Sequence, residues 1–154
     1  MLFRSLPTIV VRPGKPNAAA SSFASAVVRE PLSGIPYECP LPPETGVWLL
    51  SPRKVVEVFI HAHDLPAAKW GANRVVNLPG ITVTVAEMIE AMGKIAGAQA
   101  PKRVSFKLDA RIEAIVKTWP VRFATTRARA LGFEADQSID TVIRDYIADE
   151  GVRL

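Results

Sequence analysis

Lys15, Ser21 and Ser22 lie close together near the start of the chain, followed by Cys39, His61 and His63. Their chemistry spans ion pairing, hydroxyl or thiolate attack and metal ligation, so spacing must decide among these. Lys15 stands in Pro13-Gly14-Lys15-Pro16, which lacks the length and the following serine or threonine of a phosphate-binding P-loop. Ser21 and Ser22 lie in Ala-Ala-Ser-Ser-Phe without a Gly-x-Ser-x-Gly elbow. Neither histidine comes with an obvious acidic partner, so a hydrolase triad is disfavoured and helix-start roles are expected for the serines. His61 and His63 are two positions apart, which on a helix separates them by about 200° and prevents them from chelating one metal. His63 is expected at the apolar boundary and His61 in solvent. Cys39 is the one cysteine; it excludes an intrachain disulfide and zinc held by cysteines, and an inert thiol is expected. No metal site is expected.

The larger patterns narrow the classes further. A dinucleotide cradle needs closely spaced glycines after a strand, and no two of the nine glycines are three residues apart. Between Pro101 and Ala130, Lys102, Arg103, Lys107, Arg111, Lys117, Arg122, Arg127 and Arg129 face only Asp109 and Glu113. With Phe106, Trp119 and Phe123 nearby, a small nucleic-acid-binding module is the alternative from another class. The basic residues are spread around several elements, however, so solvated faces are expected and nucleic acid is not the expected partner. At 154 residues, 49% hydrophobic and 22% charged, the chain has the size and composition of one globular domain. Every apolar run is broken well short of a membrane span, and Pro7, Arg12, Pro13 and Lys15 interrupt any secretory h-region. A cytoplasmic location is expected, with no membrane partner.

The elements that must position these residues alternate between strands and helices. Thr8–Arg12 reads as a buried strand ending at Pro13-Gly14, and a helix is expected from about Ala19 to Arg29, stopped by Pro31. A proline-rich connector leads to the strand Val47–Leu50. Ser51 and Pro52 then open a helix with Val55, Val56, Phe59, Ile60 and His63 on one face. Arg74–Leu78 reads as a strand, and Thr84 with Glu87 as the capping box of a helix burying Met88, Ile89, Met92 and Ile95 until Gly97. A strand over Arg103–Leu108 precedes an Asp109-capped helix burying Ile112, Ile115 and Val116 up to Pro120. A short helix near Thr126–Leu131 closes at Gly132. Ser138 caps the last helix, whose buried stripe is Ile139, Val142, Ile143, Tyr146 and Ile147. The class is mixed α/β, with no internal repeat and no dividing linker.

Order and wording together carry a resemblance. Leu6-Pro7-Thr8-Ile9-Val10-Val11-Arg12-Pro13-Gly14-Lys15-Pro16-Asn17, followed by Ser21-Ser22-Phe23, resembles the strand and loop after the catalytic helix in extended short-chain dehydrogenases/reductases, the NAD-dependent epimerase/dehydratase family. Within it the chain is most similar to the D-erythronate dehydrogenases. Trp48-Leu49-Leu50-Ser51-Pro52-Arg53, Val76-Asn77-Leu78-Pro79-Gly80 and Ala130-Leu131-Gly132-Phe133 continue the likeness in order. It covers nearly everything after Ser5.

The resemblance implies the C-terminal part of an extended Rossmann-type enzyme: residual parallel strands plus a helical substrate-binding region over residues 6–154, with the Rossmann half missing. Residues 1–5 are expected to be a non-native leader, because Leu2-Phe3-Arg4-Ser5 is what the end of a common sequencing adapter would encode. Neither Tyr37 nor Tyr146 is followed four residues later by lysine, so no catalytic residue of the family is expected in this chain, and the isolated chain is expected to be inactive. The resemblance further implies NAD as cofactor, with Pro13 and Gly14 contacting it through their backbone. Lys15 would pair with the carboxylate of a small sugar acid such as D-erythronate, and Asn17, Ser21 and Ser22 would bond its hydroxyls. A homodimeric parent is implied as well. An epimerase or dehydratase of the same family is the alternative enzyme. Nucleotide-sugar epimerases usually carry a phosphate-binding arginine just before the strand that Val47 and Trp48 occupy, and the apolar pair here favours a small unactivated substrate.

Overall fold

The computed structural model describes residues 2–15, 17 and 19–154. Met1 of the expected leader, and Pro16 of the resembling run, lie outside the described residues. In chain order the strands are β1 (Leu2–Ser5), β2 (Thr8–Ile9), β3 (Tyr37–Cys39), β4 (Gly46–Leu50), β5 (Val75–Asn77), β6 (Ile81–Thr84) and β7 (Val104–Phe106). The helices are α1 (Ser22–Leu32), α2 (Pro52–Asp64), α3 (Ala67–Trp70), α4 (Val85–Ala96), α5 (Ala110–Val116), α6 (Thr126–Ala130) and α7 (Ile139–Glu150), with a 3₁₀ turn at Pro101–Arg103. The mixed α/β class and the parallel strands stand as expected.

β2 pairs parallel with β4, and β4 pairs antiparallel with β6. β1 pairs parallel with β5, and β3 with β7. Successive side chains of a strand point to opposite faces. Accordingly Val47 and Leu49 enter a core built from α1, α4, α5 and α7, whereas Leu50 enters a second core with Val55, Val58, Trp70, Val76, Leu78 and Phe133. One five-residue strand thus serves two cores, which is why Val47–Leu50 reads as a continuous apolar run.

Local capping follows the sequence closely. The Ser51 hydroxyl accepts from the Lys54 N–H, Thr84 and Glu87 complete both halves of their capping box, Asp109 accepts from the Arg111 and Ile112 N–H groups, and Ser138 accepts from the Thr141 N–H. Gly97 follows α4 at φ 81°, and Gly151 ends α7 in the left-handed region at φ 60°.

Three expectations are corrected. Pro31 does not stop α1, which runs to Leu32. A proline in the last turn forfeits only its own N–H, and the helix-terminal carbonyls of Arg29, Glu30 and Pro31 accept from Ser33, Ile35 and Gly34 respectively. Helix α2 buries Val55, Val58 and Ala62, leaving Val56, Phe59 and Ile60 at 58%, 45% and 58% exposure. Val55, Val58 and Ala62 share helical spacing too, so the choice of face belongs to the packing partner. Ile115 is likewise on the outside of α5, where Val116 alone is buried.

Gly80 marks the tightest approach to the sheet. A Cβ there would lie 2.6 Å from Trp48 Nε1 and 2.7 Å from the Leu49 carbonyl oxygen, which belongs to β4 and cannot swing aside. Gly80→Ala is expected to lower stability by about 2–3 kcal/mol through overpacking. Urea unfolding measures this, and a midpoint matching the parent's would contradict it.

Candidate active-site cleft

A cleft of about 430 Å³ opens where β2, β4 and the start of α1 meet, within the range of roughly 300–1,000 Å³ typical of small-molecule sites. Its lining includes two hydroxyl-bearing residues, Thr8 and Ser21, among the apolar Val47, Trp48, Trp119, Val121 and Phe123. Ser21 precedes α1 yet makes no side-chain cap bond, so its hydroxyl is not spent on the helix. A few polar groups set among apolar walls is the composition of a site that orients a small polar molecule.

The outer wall is a strap, residues 119–123, held by three devices. Thr82 donates its hydroxyl to the Val121 carbonyl at 2.5 Å. Phe123 stacks on Trp48 with ring centroids 4.1 Å apart and planes 30° from parallel. Gly46 has no side chain to hold Val121 off, since a Cβ there would stand 3.3 Å from Val121 Cγ1. The aromatics that superficially suggested nucleic acid are therefore divided. Trp119 and Phe123 line the cleft, while Phe106 is 45% exposed on β7.

The sequence candidates lie between the end of β2 and the first residue of α1, and Ser21 among them reaches this cleft. Pro13, Gly14 and Lys15 are exposed, and nothing lies within 4 Å of where a Gly14 Cβ would be, so the backbone there is open to approach. No ion pair reaches Lys15 among the described residues. Asn17 and Ser22 wire the loop itself: the Asn17 N–H donates to Ser22 Oγ at 3.2 Å, and the Ala19 N–H donates to Asn17 Oδ1 at 3.0 Å. Of the six candidates only Ser21 lines the cleft directly. Sequence reasoning missed Thr8 and the strap. Trp119 and Phe123 were visible as aromatics, but nothing local ties them to residues about a hundred positions earlier.

Other chemistry is accounted for elsewhere. The histidines are reversed from expectation: His61 Nε2 lies 2.8 Å from the Leu131 carbonyl with its ring edge-on to Phe133, whereas the His63 side chain is 88% exposed beside Asp64. Rotation of α2's buried face towards Val58 and Ala62 causes the exchange. His63 does have an acidic neighbour, at 3.0 Å, but both side chains are exposed. No group of three or more His, Cys, Asp or Glu that could hold a metal occurs among the described residues. Burial pushes the Cys39 thiol up from its ordinary pKa, leaving it protonated and unreactive near neutrality. Tyr37 is raised as well, by burial first and by its neighbours Cys39 and Glu30 next. Much of the basic segment is internally engaged. Arg127 donates to the Trp70 and Asn73 carbonyls, Arg103 to Pro31, and Lys107, Arg111 and Lys117 pair with Glu38, Asp109 and Glu113. No helix among the described residues is long and apolar enough to cross a membrane.

Comparison with known proteins gives a consistent picture. No family model matches the chain. It is 54% identical over 147 residues to a D-erythronate dehydrogenase of Cupriavidus necator, covering 96% of this chain and 45% of that protein. A D-erythronate dehydrogenase of Haemophilus influenzae is 44% identical over 142 residues, covering 92% and 45%. Among solved structures, a nucleoside-diphosphate-sugar epimerase from Agrobacterium tumefaciens superposes with a TM-score of 0.92 at 40% identity, over 98% of this chain and 44% of that one. An L-threonine dehydrogenase from Phytophthora infestans shares the fold alone, with a TM-score of 0.81 at 18% identity. The chain spans less than half the length of the curated relatives it matches.

Proposed function

We propose that this chain, a relative of the D-erythronate dehydrogenases within the extended short-chain dehydrogenase/reductase family, is the C-terminal, substrate-shaping portion of an enzyme that oxidises a sugar acid such as D-erythronate. The carrying observation is the cleft between β2, β4 and the strap, lined also by Ser21 at the start of α1, in a chain so similar to those enzymes. Thr8 and Ser21 present hydroxyls to a polyol. The residues lining the cleft carry no cation for a nucleotide's phosphates, which supports a small unactivated substrate. Lys15, exposed and unpaired by any described carboxylate, is available to hold the acid group by a charge-assisted bond.

The proposed cofactor is NAD, which when bound accepts a hydride from the substrate alcohol. The open Gly14 backbone fits close approach by a planar ring, so Pro13 and Gly14 would hold one edge of it. The glycine spacing of this chain supplies no pyrophosphate cradle, and that part of the site is assigned to the other half of the parent. Exposed Val56, Phe59 and Ile60 on α2 also suit a chain that normally packs against more protein. A nucleotide-sugar epimerase is the second reading, favoured by the Agrobacterium structure and opposed by the uncharged cleft. A homodimeric parent and a cytoplasmic location complete the proposal.

The test is NAD reduction at 340 nm with D-erythronate, comparing this chain with a version extended upstream at its source locus. The extended protein is expected to be active and the chain alone inactive. Lys15→Met in the extended protein is expected to raise the KM for D-erythronate by about 10- to 100-fold, the loss of one charge-assisted contact. Activity in this chain alone, or an unchanged KM in the Lys15 variant, would count against the respective assignment.

A further inference from the structure

Among the described residues, four polar or charged residues are buried: Ser25, Arg29, Ser51 and Asp136. Ser25 and Arg29 are four apart on α1, one turn, and so share a face. Both are spent on the backbone of one residue outside the helix, Arg12, one on each of its flanking peptides. The Arg12 N–H donates to Ser25 Oγ at 3.0 Å, and Arg29 Nη1 donates to the Arg12 carbonyl at 2.8 Å. Arg29 Nε is held by Glu30 at 2.8 Å, which fixes the plane of the guanidinium. Its Nη2 is buried with no hydrogen-bond partner.

A buried arginine, 7% exposed and incompletely satisfied at its guanidinium, is a poor choice for stability alone, since an apolar residue of similar volume avoids the desolvation. What the pair does achieve is geometric. Donor and acceptor of one residue are gripped from opposite ends, leaving Arg12 no freedom to rotate its flanking peptides. Arg12 is followed directly by Pro13, whose ring restricts φ, and then by Gly14 with its open backbone. Position fixed at Arg12 is therefore passed to Gly14 through a stiff residue.

We propose that Ser25 and Arg29 are positioning residues that clamp the Arg12 backbone and thereby set the Pro13-Gly14 edge against the nicotinamide cofactor. The functional half of this rests on the dehydrogenase reading above; the clamp itself does not. Both are tested with Ser25→Ala, Arg29→Met, which keeps the aliphatic stem, and Arg29→Lys, which keeps a donor for the Arg12 carbonyl. In this chain, amide hydrogen exchange at Arg12 is expected to quicken about 10-fold or more in Ser25→Ala, because its acceptor is gone. Exchange in the middle of α1 should stay within about 3-fold of the parent.

In the extended protein, NADH binding followed by energy transfer from tryptophan is expected to weaken about 10-fold in Ser25→Ala and Arg29→Met, and to recover to within about 3-fold in Arg29→Lys. A merely structural role would not separate Lys from Met in this way. Unchanged Arg12 exchange in Ser25→Ala overturns the clamp. Equal binding losses in Arg29→Lys and Arg29→Met overturn its positioning role. Failure of the unsubstituted extended protein to bind NADH overturns the cofactor reading and the positioning role with it, while the exchange data still decide the clamp.

Discussion

Trp48→Ala lowers the unfolding free energy by about 3–5 kcal/mol, the usual cost of truncating a large buried aromatic, and opens the cleft. Trp48 is 8% exposed and has Phe123 stacked on it. Removing the indole leaves a cavity between β4 and Gly80 and takes away the surface on which the strap rests. The two devices left, the Thr82 hydroxyl on the Val121 carbonyl and the close approach of Val121 to Gly46, both act at Val121 and do not fix the strap's orientation. Two readouts follow. Urea unfolding gives the stability loss, and a double cycle with Phe123→Ala gives a coupling of about 0.5–1.5 kcal/mol for the stacked pair. Trp48→Phe keeps a ring and is expected to retain most of the coupling. If the extended protein oxidises D-erythronate as proposed, its KM is expected to rise about 10-fold or more with Trp48→Ala, because the wall that orients the substrate is loosened. A stable Trp48→Ala variant with an unaltered KM would remove the strap from the site.

The second large effect is expected at Asp136. One carboxylate oxygen accepts from the Ser51 N–H at 2.7 Å and the other from the Ser51 hydroxyl at 2.6 Å, with both residues buried. Ser51 in turn caps α2 by accepting from the Lys54 N–H. Asp136→Ala strands two buried donors and loosens a helix cap, for a loss of about 2–4 kcal/mol. Asp136→Asn has the same shape and can keep its carbonyl on the Ser51 N–H while its amide donates to Ser51 Oγ, so about half of that loss is expected. The comparison is made by urea unfolding at neutral pH. Equal losses for the two variants would mean that the charge, and not the bonding pattern, is what matters there.

How much was legible in the residues depended on the reach of each interaction. The starts of α2, α4, α5 and α7 were read from Ser51, Thr84 with Glu87, Asp109 and Ser138, because a cap is completed within three residues of chain. The strands β1, β3 and β6 are not legible in the sequence. Tyr37–Cys39 lies in a proline-rich segment and Ile81–Thr84 abuts a helix cap, and each becomes a strand only by pairing, with β7 and β4 respectively. The face of α2 was misassigned for a related reason: a helix with apolar residues at two sets of helical positions has two possible buried stripes. The resemblance pointed to residues between Pro13 and Ser22 but said nothing of the strap.

The sequence by itself determined the class, the order of every helix but α3 and most of their ends, since these rest on periodicity and on contacts within a turn of chain, while the resemblance supplied the candidate residues between Pro13 and Ser22. Only the tertiary structure decided which groups meet. Asp136 reaches Ser51 across 85 positions, Phe123 covers Trp48, and Ser25 and Arg29 close on Arg12. Such contacts follow from how a twisted sheet stacks its helices, because burial rewards any apolar partner while hydrogen-bond geometry accepts only the one placed at the right distance and angle.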